Sequence, residues 1–497
     1  MKITKITVYA LCVMVLVLMA LSYADTDLYY ILANGQYIIK NGIPETNPFI
    51  QTQGVPIVIQ NYAWCAIVAF FYNILGNFGL TLLNGLVIAG CTAVGVLLLN
   101  ETDILKKVPL YAKIFCMFFA IRCSSYISLR PEILTVLLIL IQCLALERYR
   151  KTGNLWHLTA IPAVMFAEAN LHSSYIAMHL FFGACYLIPG IKIPWLYIKD
   201  RSIKGKNRII AGISLIVGFL ASFINPYGYK GVFYVFGALK DGYLSKWNIM
   251  EQRPLNAKVS GVFPVIMILL IIICYIIIKK RADSLTVYTS VPLIMLTFMT
   301  LKWIPFVPIA IIYLVSSAAN EEGAVSVYNS VIGNNKLKKA LYVLSGVLLL
   351  FVITANAVRI SHIAKNTENS LSEFHEECFL YIEENNPDGS VFCSQFANAN
   401  FYEFKGITVF LDARPELYKG DIAEKYLTVL QMKNPFDDDS PYLSLDEYTA
   451  VIESTESDYF VVNKSSAHIC HGLDNSKMYA EVASISDDDY VLYEKLR

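Results

Sequence analysis

Apolar runs of roughly 18 residues or more recur along the first 357 positions of this chain, and nothing else constrains its fold as strongly. A helix of about 20 apolar residues matches the hydrocarbon thickness of a bilayer. The 497 residues are 56% hydrophobic and 16% charged, where an ordinary soluble domain carries about 25% charged residues. The sequence therefore predicts a polytopic α-helical membrane protein seated in the cell membrane. Its net charge of zero argues against nucleic acid as a partner, since that binding needs a basic surface. Cys12, Cys91, Cys116, Cys143, Cys185 and Cys274 fall inside apolar segments, where a thiol behaves as a small hydrophobe. The only compact group of metal-type ligands is His468-Ile469-Cys470-His471; without a fourth partner it reads as a surface loop, and no metal site is predicted.

Lysine and arginine set the orientation, because short cytoplasmic loops collect them. Lys2 and Lys5 precede the first segment, 6–24, which puts the N-terminus in the cytoplasm and Asp25 outside. Residues 61–76, with Trp64, Phe70, Phe71 and Tyr72, read as an interfacial helix, because a span there would place every later basic loop on the wrong side. Spans are predicted near 79–99, 108–127, 132–147, 155–169, 174–190, 209–224, 260–278, 284–300, 303–317 and 340–357. With the first segment this makes about eleven. Lys106-Lys107, Arg148 to Lys151, Lys192 to Arg208, Lys279 to Arg281 and Lys336 to Lys339 then lie inside. Ser22-Tyr23-Ala24 has the small-x-small pattern of a signal-peptidase site, but an uncleaved anchor is expected, since it would fix the residues that follow. The domains predicted are 1–357, with a first extracytoplasmic loop at 25–78, and a small extracytoplasmic α/β domain at 358–497.

That topology collects the unusual side chains on one face. Asp25 and Asp27 open the first external loop, followed by Gln60-Asn61, Arg122, Arg130-Pro131-Glu132, Glu168, Asn170, His172, Asn225, Tyr227, Glu251-Gln252-Arg253 and Lys302. Ionisable groups at membrane depth are costly unless paired or wet, so they point to function. The chemistry that fits is group transfer from a lipid-phosphate donor. A carboxylate at the membrane edge, Asp25 with Asp27 in support, suits a general base for an acceptor hydroxyl. Arg122, Arg130, His172 and Lys302 suit the departing phosphate; Glu168, Asn170, Asn225 and Tyr227 complete the predicted substrate-binding set.

This layout resembles the GT-C superfamily of integral membrane glycosyltransferases, the group of the protein O-mannosyltransferases and aminoarabinose transferases. Asp25-Thr26-Asp27, Tyr29-Tyr30, Gly42-Ile43-Pro44, Trp64 and Leu75-Gly76 carry the resemblance in the first loop. Arg130-Pro131, Asn170-Leu171-His172, Asn225-Pro226-Tyr227-Gly228 and Phe410-Leu411-Asp412-Ala413-Arg414 are similar to motifs of a bacterial branch with a C-terminal extracytoplasmic domain. The chain departs from the pattern at Gln60-Asn61, where a His-Glu type pair would stand, and at Glu168, where an aromatic would. The resemblance implies transfer of a sugar, with inversion, from a polyprenyl-phosphate donor to an extracytoplasmic glycan, lipid or protein acceptor. No cofactor is implied, and participation of a divalent cation is left open. The competing reading is a non-catalytic or transport-type membrane protein of cell-surface glycan assembly. A transporter, however, would call for ionisable residues along a midplane path and for repeated halves.

Beyond about residue 365 the composition turns polar. Leu371, Phe374, Cys378 and Tyr381 predict an amphipathic helix over 371–384. Apolar runs at 390–393, 408–411, 459–462 and 490–493, with a helix near 446–453, predict a partly parallel sheet. Asp412 and Arg414 follow the second run, and the plainest reading of them is a structural ion pair.

Overall fold

The computed structural model describes residues 26–122, 129–240 apart from Trp195, 249–256, 262–279, 282–319 and 371–496 apart from positions 436 and 438. Isolated positions between 334 and 354 are also described. Asp25, the segment 6–24 and nearly all of 340–357 lie outside the described residues. The chain divides into two compact units. The first holds the described residues of Ile74–Val232 and Met250–Ile360; the second holds those of Tyr23–Asn73, Phe233–Ile249 and Ser361–Arg497. The sequence drew a boundary near 357, whereas contacts join the early segment to the C-terminal residues.

Helix α1 (Thr26–Asn41) opens the second unit with Asp27 in its first turn and Lys40 in its last, charges that suit the two ends of the helix dipole. Helix α2 (Tyr62–Asn100) is broken at Gly76, where φ is 58° and ψ is −145°. A residue without a Cβ adopts that backbone at little cost, and the division between units falls close to this break.

The first unit is helical. Its elements are α3 (Asp103–Lys107), α4 (Leu110–Arg122), α5 (Pro131–Thr152), α6 (Ala160–Leu171), α7 (Ile176–Cys185), α8 (Gly205–Ala221), α9 (Tyr229–Lys240, which runs into the second unit), α10 (Phe263–Ile278), α11 (Ser284–Met299) and α12 (Val307–Ala319). A short hairpin, β1 (Lys192–Ile193) with β2 (Leu196–Tyr197), links α7 to α8. Local chemistry sets the ends. Pro131 starts α5 and Gly153, left-handed, stops it; the Asp283 side chain caps α11 by accepting from the Thr286 N–H. Helices α6 and α8 pack closely because Gly218 faces Met165: a methyl there would sit 2.6 Å from Met165 Sδ.

The prediction of about eleven spans is not met. Among the described residues, two helices are long and apolar enough to cross a membrane, Tyr62–Asn100 and Leu301–Ala319; Ala112–Ile121, Phe263–Ile278 and Ser284–Met299 are apolar but shorter. The physical reason is that caps and turns divide what reads as continuous in sequence. Helix α6 has 12 residues, about 18 Å at 1.5 Å per residue, well short of a hydrocarbon core of about 30 Å. Helix α5 has 22 residues, but Glu147, Arg148, Arg150 and Lys151 crowd its last turns.

The second unit holds a four-stranded sheet in the order β3-β4-β6-β5. Strand β3 (Val391–Cys393) runs parallel to β4 (Tyr459–Asn463). Strand β6 (Tyr490–Lys495) pairs antiparallel with β4 and with β5 (Tyr479–Ser486). Helices α13 (Leu371–Asn385), α14 (Phe396–Lys405), α15 (Asp421–Gln431), α16 (Leu445–Glu453) and α17 (Ala467–Asn475) complete it. The predicted strand 408–411 forms only isolated bridges, from Val409 to Ile50 and to Val391. The early segment is thus built into this unit's core. Ile50 joins the apolar cluster around Phe392 and Phe460, whose rings stack with centroids 4.8 Å apart, and Tyr29 packs edge-on against Phe401.

Candidate functional site

In the first unit, a chain of polar groups is buried among apolar helices. Helix α6 ends where His172 leaves helical geometry (φ −164°, ψ 69°). Its N–H donates to the Glu168 carbonyl at 2.7 Å. Glu168 is itself fully buried, and an ionisable group at that depth needs partners. Thr135, near the start of α5, donates to Glu168 Oε1 at 2.7 Å and lies 2.9 Å from His172 Nδ1. His179 Nε2 lies 3.4 Å from Glu168 Oε2, and its Nδ1 lies 2.6 Å from Gln142 Oε1. Gln142 Nε2 in turn donates to the His179 carbonyl at 2.7 Å. Burial is the main cause that pushes the His172 imidazole down to about 4, with Glu168 opposing and Lys302 assisting. The ring is therefore neutral near pH 7.

Cationic groups gather at the same helix ends. The His172 ring packs on Tyr175, centroids 4.6 Å apart, and Lys302 Nζ lies 5.9 Å from the Tyr175 ring centre. Arg130, at the N-cap of α5, forms an ion pair with Glu251. The Leu301 N–H donates to the Arg253 carbonyl at 3.0 Å, which brings the Glu251 turn alongside Lys302. At the opposite end of α5, Glu147 binds Arg150 at 2.7 Å and Arg201 at 3.0 Å.

The structure thus brings Glu168, His172 and Lys302 together, while Arg130 pairs with Glu251 at the start of α5. Asn170 donates to the Phe166 and Ile224 carbonyls. Asn225 accepts from the Tyr227 N–H and donates to the Ser222 and Gly228 carbonyls, so its amide and Tyr227 belong to one turn. Arg122 is the last residue of α4. Asp27 belongs to the second unit, and Asp25 is outside the described residues. Sequence reasoning missed Thr135, Gln142 and His179. A signal existed for the first two: Thr135 and Gln142 stand seven residues apart on α5, and two helical turns return a side chain to nearly the same face.

The second unit carries its own buried polar cluster. Arg414 Nε donates to Asp412 Oδ2 at 2.9 Å and its Nη2 reaches the same oxygen; the Arg414 N–H donates to Oδ1 at 2.9 Å. Asn47 donates to Oδ2 at 2.9 Å, and the Arg414 guanidinium lies 5.0 Å from the Tyr30 ring centre. Burial pushes the Asp412 carboxyl up, yet Arg414, Tyr418 and Asn47 together outweigh it and hold Asp412 below the ordinary carboxylate range. Glu403, buried beside them, is driven well above that range, first by burial and then by the Asp412 charge. The cluster is then Asp412⁻, Arg414⁺ and a protonated Glu403 buried beside them. His468 and His471 lie on helix α17, not on a loop, with His468 Nε2 3.0 Å from the Leu430 carbonyl. Among the described residues, no group of three or more His, Cys, Asp or Glu is arranged to hold a metal ion.

The outer surface of the first unit is apolar in stripes. Ile209, Ile213, Ile216 and Leu220 of α8 are exposed at helical spacing, as are Ile268, Ile271, Tyr275 and Ile278 of α10. Neither a protein-family model nor a curated protein matches this sequence.

Proposed function

We propose that this chain is a membrane-seated glycosyltransferase that moves a sugar from a polyprenyl-phosphate donor to an extracytoplasmic acceptor. The observation that carries the reading is Lys302 beside the buried Glu168–Thr135–His172 chain of the first unit, with Arg130 at the start of the helix that holds Thr135. Arg130 offers a planar fork that matches phosphate oxygens, and Lys302 adds a mobile positive charge. The exposed apolar stripes of α8 and α10 suit a bilayer and a polyprenyl tail, since patches of this kind mark lipid or partner contacts. The sequence assigns the base that takes the acceptor proton to Asp25, with Asp27 in support.

The test is turnover of labelled polyprenyl-phosphate sugars by the purified full-length chain. Arg130→Lys should lose most activity, because an ammonium cannot make two parallel bonds to a phosphate. Asp25→Asn should cost about 10²–10⁴ in rate while donor binding persists. Wild-type protein that transfers no sugar from any such donor would overturn the reading.

A further inference from the structure

The buried chain in the first unit has few ways to arrange its protons. The His179 carbonyl can only accept, so the Gln142 amide must turn its NH₂ toward it and its oxygen toward His179 Nδ1. Nδ1 of His179 therefore carries a hydrogen. Its other nitrogen faces Glu168 Oε2 at 3.4 Å. Glu168 Oε1 then accepts from Thr135. The single hydroxyl proton of Thr135 is used in that bond, which leaves its oxygen to accept from His172 Nδ1 at 2.9 Å. With His172 neutral, its proton sits on Nδ1 and its Nε2 is a bare acceptor.

A bare nitrogen repels a phosphate oxygen and welcomes a hydroxyl. We propose that His172 is a specificity residue that accepts a hydrogen bond from a hydroxyl of the donor sugar, with Thr135, Glu168, His179 and Gln142 as positioning residues that hold its tautomer. The phosphate then falls to cationic groups such as Arg130 and Lys302 rather than to His172. Ser173 Oγ, the next side chain along, is buried with no hydrogen-bond partner among the described residues, so a second polar group is available beside it. This assignment rests on the glycosyltransferase reading for its ligand, but the proton pattern stands on the geometry alone.

Two measurements on the full-length protein separate these parts. With ¹⁵N-labelled histidine, the His172 ring near neutral pH should show its proton on Nδ1. Thr135→Ser should keep that preference and Thr135→Val should abolish it. A proton on Nε2 in the wild type overturns the proposal. Binding is then compared between polyprenyl phosphate and the same lipid bearing a hexose. His172→Phe should weaken the sugar-bearing ligand about five- to tenfold, the worth of one hydrogen bond, and leave the bare lipid phosphate unchanged. His172→Gln, which can present an oxygen in place of Nε2, should recover part of the loss. Equal weakening of both ligands, or no weakening of either, overturns the sugar assignment. A wild type that binds neither ligand defeats the glycosyltransferase reading and the sugar with it, while the ring-nitrogen signal still decides the tautomer.

Discussion

Removing the negative charge from Asp412 gives a direct test of the buried cluster, because the structure provides a substitute. The Asp412 carboxylate accepts two bonds from the Arg414 side chain, one from its N–H and one from Asn47. Hydrogen bonds to a charged group are worth about 1.5–3 kcal/mol each to stability, and breaking a buried ion pair outright costs about 3–5 kcal/mol. Asp412→Asn should nevertheless cost only about 2 kcal/mol. Glu403 is buried in the same cluster, and once the Asp412 charge is gone it can ionise and serve as the partner of Arg414. Near pH 7, Glu403→Gln alone should hold or raise stability, since it keeps a neutral, similarly shaped group and removes the cost of protonating a carboxyl that is ionised in the unfolded chain. The double variant strands the Arg414 cation and should lose the full 3–5 kcal/mol, at least about 1–3 kcal/mol beyond the sum of the singles. Hydrogen exchange of the β4 and β6 amides in the full-length protein reads this locally. Additive losses, or a full loss from Asp412→Asn alone, would refute the idea that Glu403 stands in.

Four further outcomes follow from the same structure. Glu403 has a folded value above its ordinary 4.5, so the stability of its protonated form is present below about pH 4.5 and is lost as pH rises toward the folded value; Glu403→Gln should flatten that slope in denaturation measured across pH. His375 runs the other way: burial lowers it from 6.5 to about 4, so its share is present above 6.5 and is lost as pH falls toward 4, and a neutral replacement should remove that acid-side loss. Gly35→Ala should destabilise the second unit by about 1–3 kcal/mol, because the added methyl would overlap the Cys65 carbonyl oxygen and sit 2.6 Å from Ala69 Cβ; an unchanged melting curve would show that α1 can shift. Glu251→Gln frees Arg130 from its ion pair and should tighten polyprenyl phosphate binding several-fold in a direct titration, whereas weaker binding would mean that Glu251 positions the guanidinium rather than competing for it.

How far the sequence could be read depended on how local each signal was. The helix at 371–384 carried its pattern within itself, and the structure has α13 at Leu371–Asn385. The capping box that starts α16, with Ser444 and Glu447 satisfying each other, likewise fixed the start of a helix expected near 446–453. Strand β5 escaped notice because its alternation, with Tyr479, Val482 and Ile485 buried, is broken by a register shift between Glu481 and Ser486. The spans failed for a different reason. Hydropathy sums side chains and is blind to the backbone turn at His172 or the 3₁₀ turn before α6 that stop apolar helices early. Glu168 and His172 drew attention because they are charged or titratable in an apolar run, while Thr135 and Gln142 look ordinary until another helix supplies their partners. The union of 26–73 with the C-terminal residues was invisible, since Asn47 and Asp412 meet across 365 positions.

The order of strands in the sheet has a consequence for how the molecule is made. Strand β6 lies inside the sheet, between β4 and β5, although its residues 490–495 are the last of the four to be synthesised. A nascent chain that has emerged as far as Ser486 offers β4 and β5 with nothing to join them, and the early segment has no finished core to dock on. Helix α1 must therefore wait, as an apolar stripe of Ile31, Leu32 and Ala33, while more than 400 residues are translated behind it. Pairings over such separations are slow to form, and exposed apolar surface invites aggregation in the interval. The second unit therefore keeps apolar surface exposed until its last strand is made.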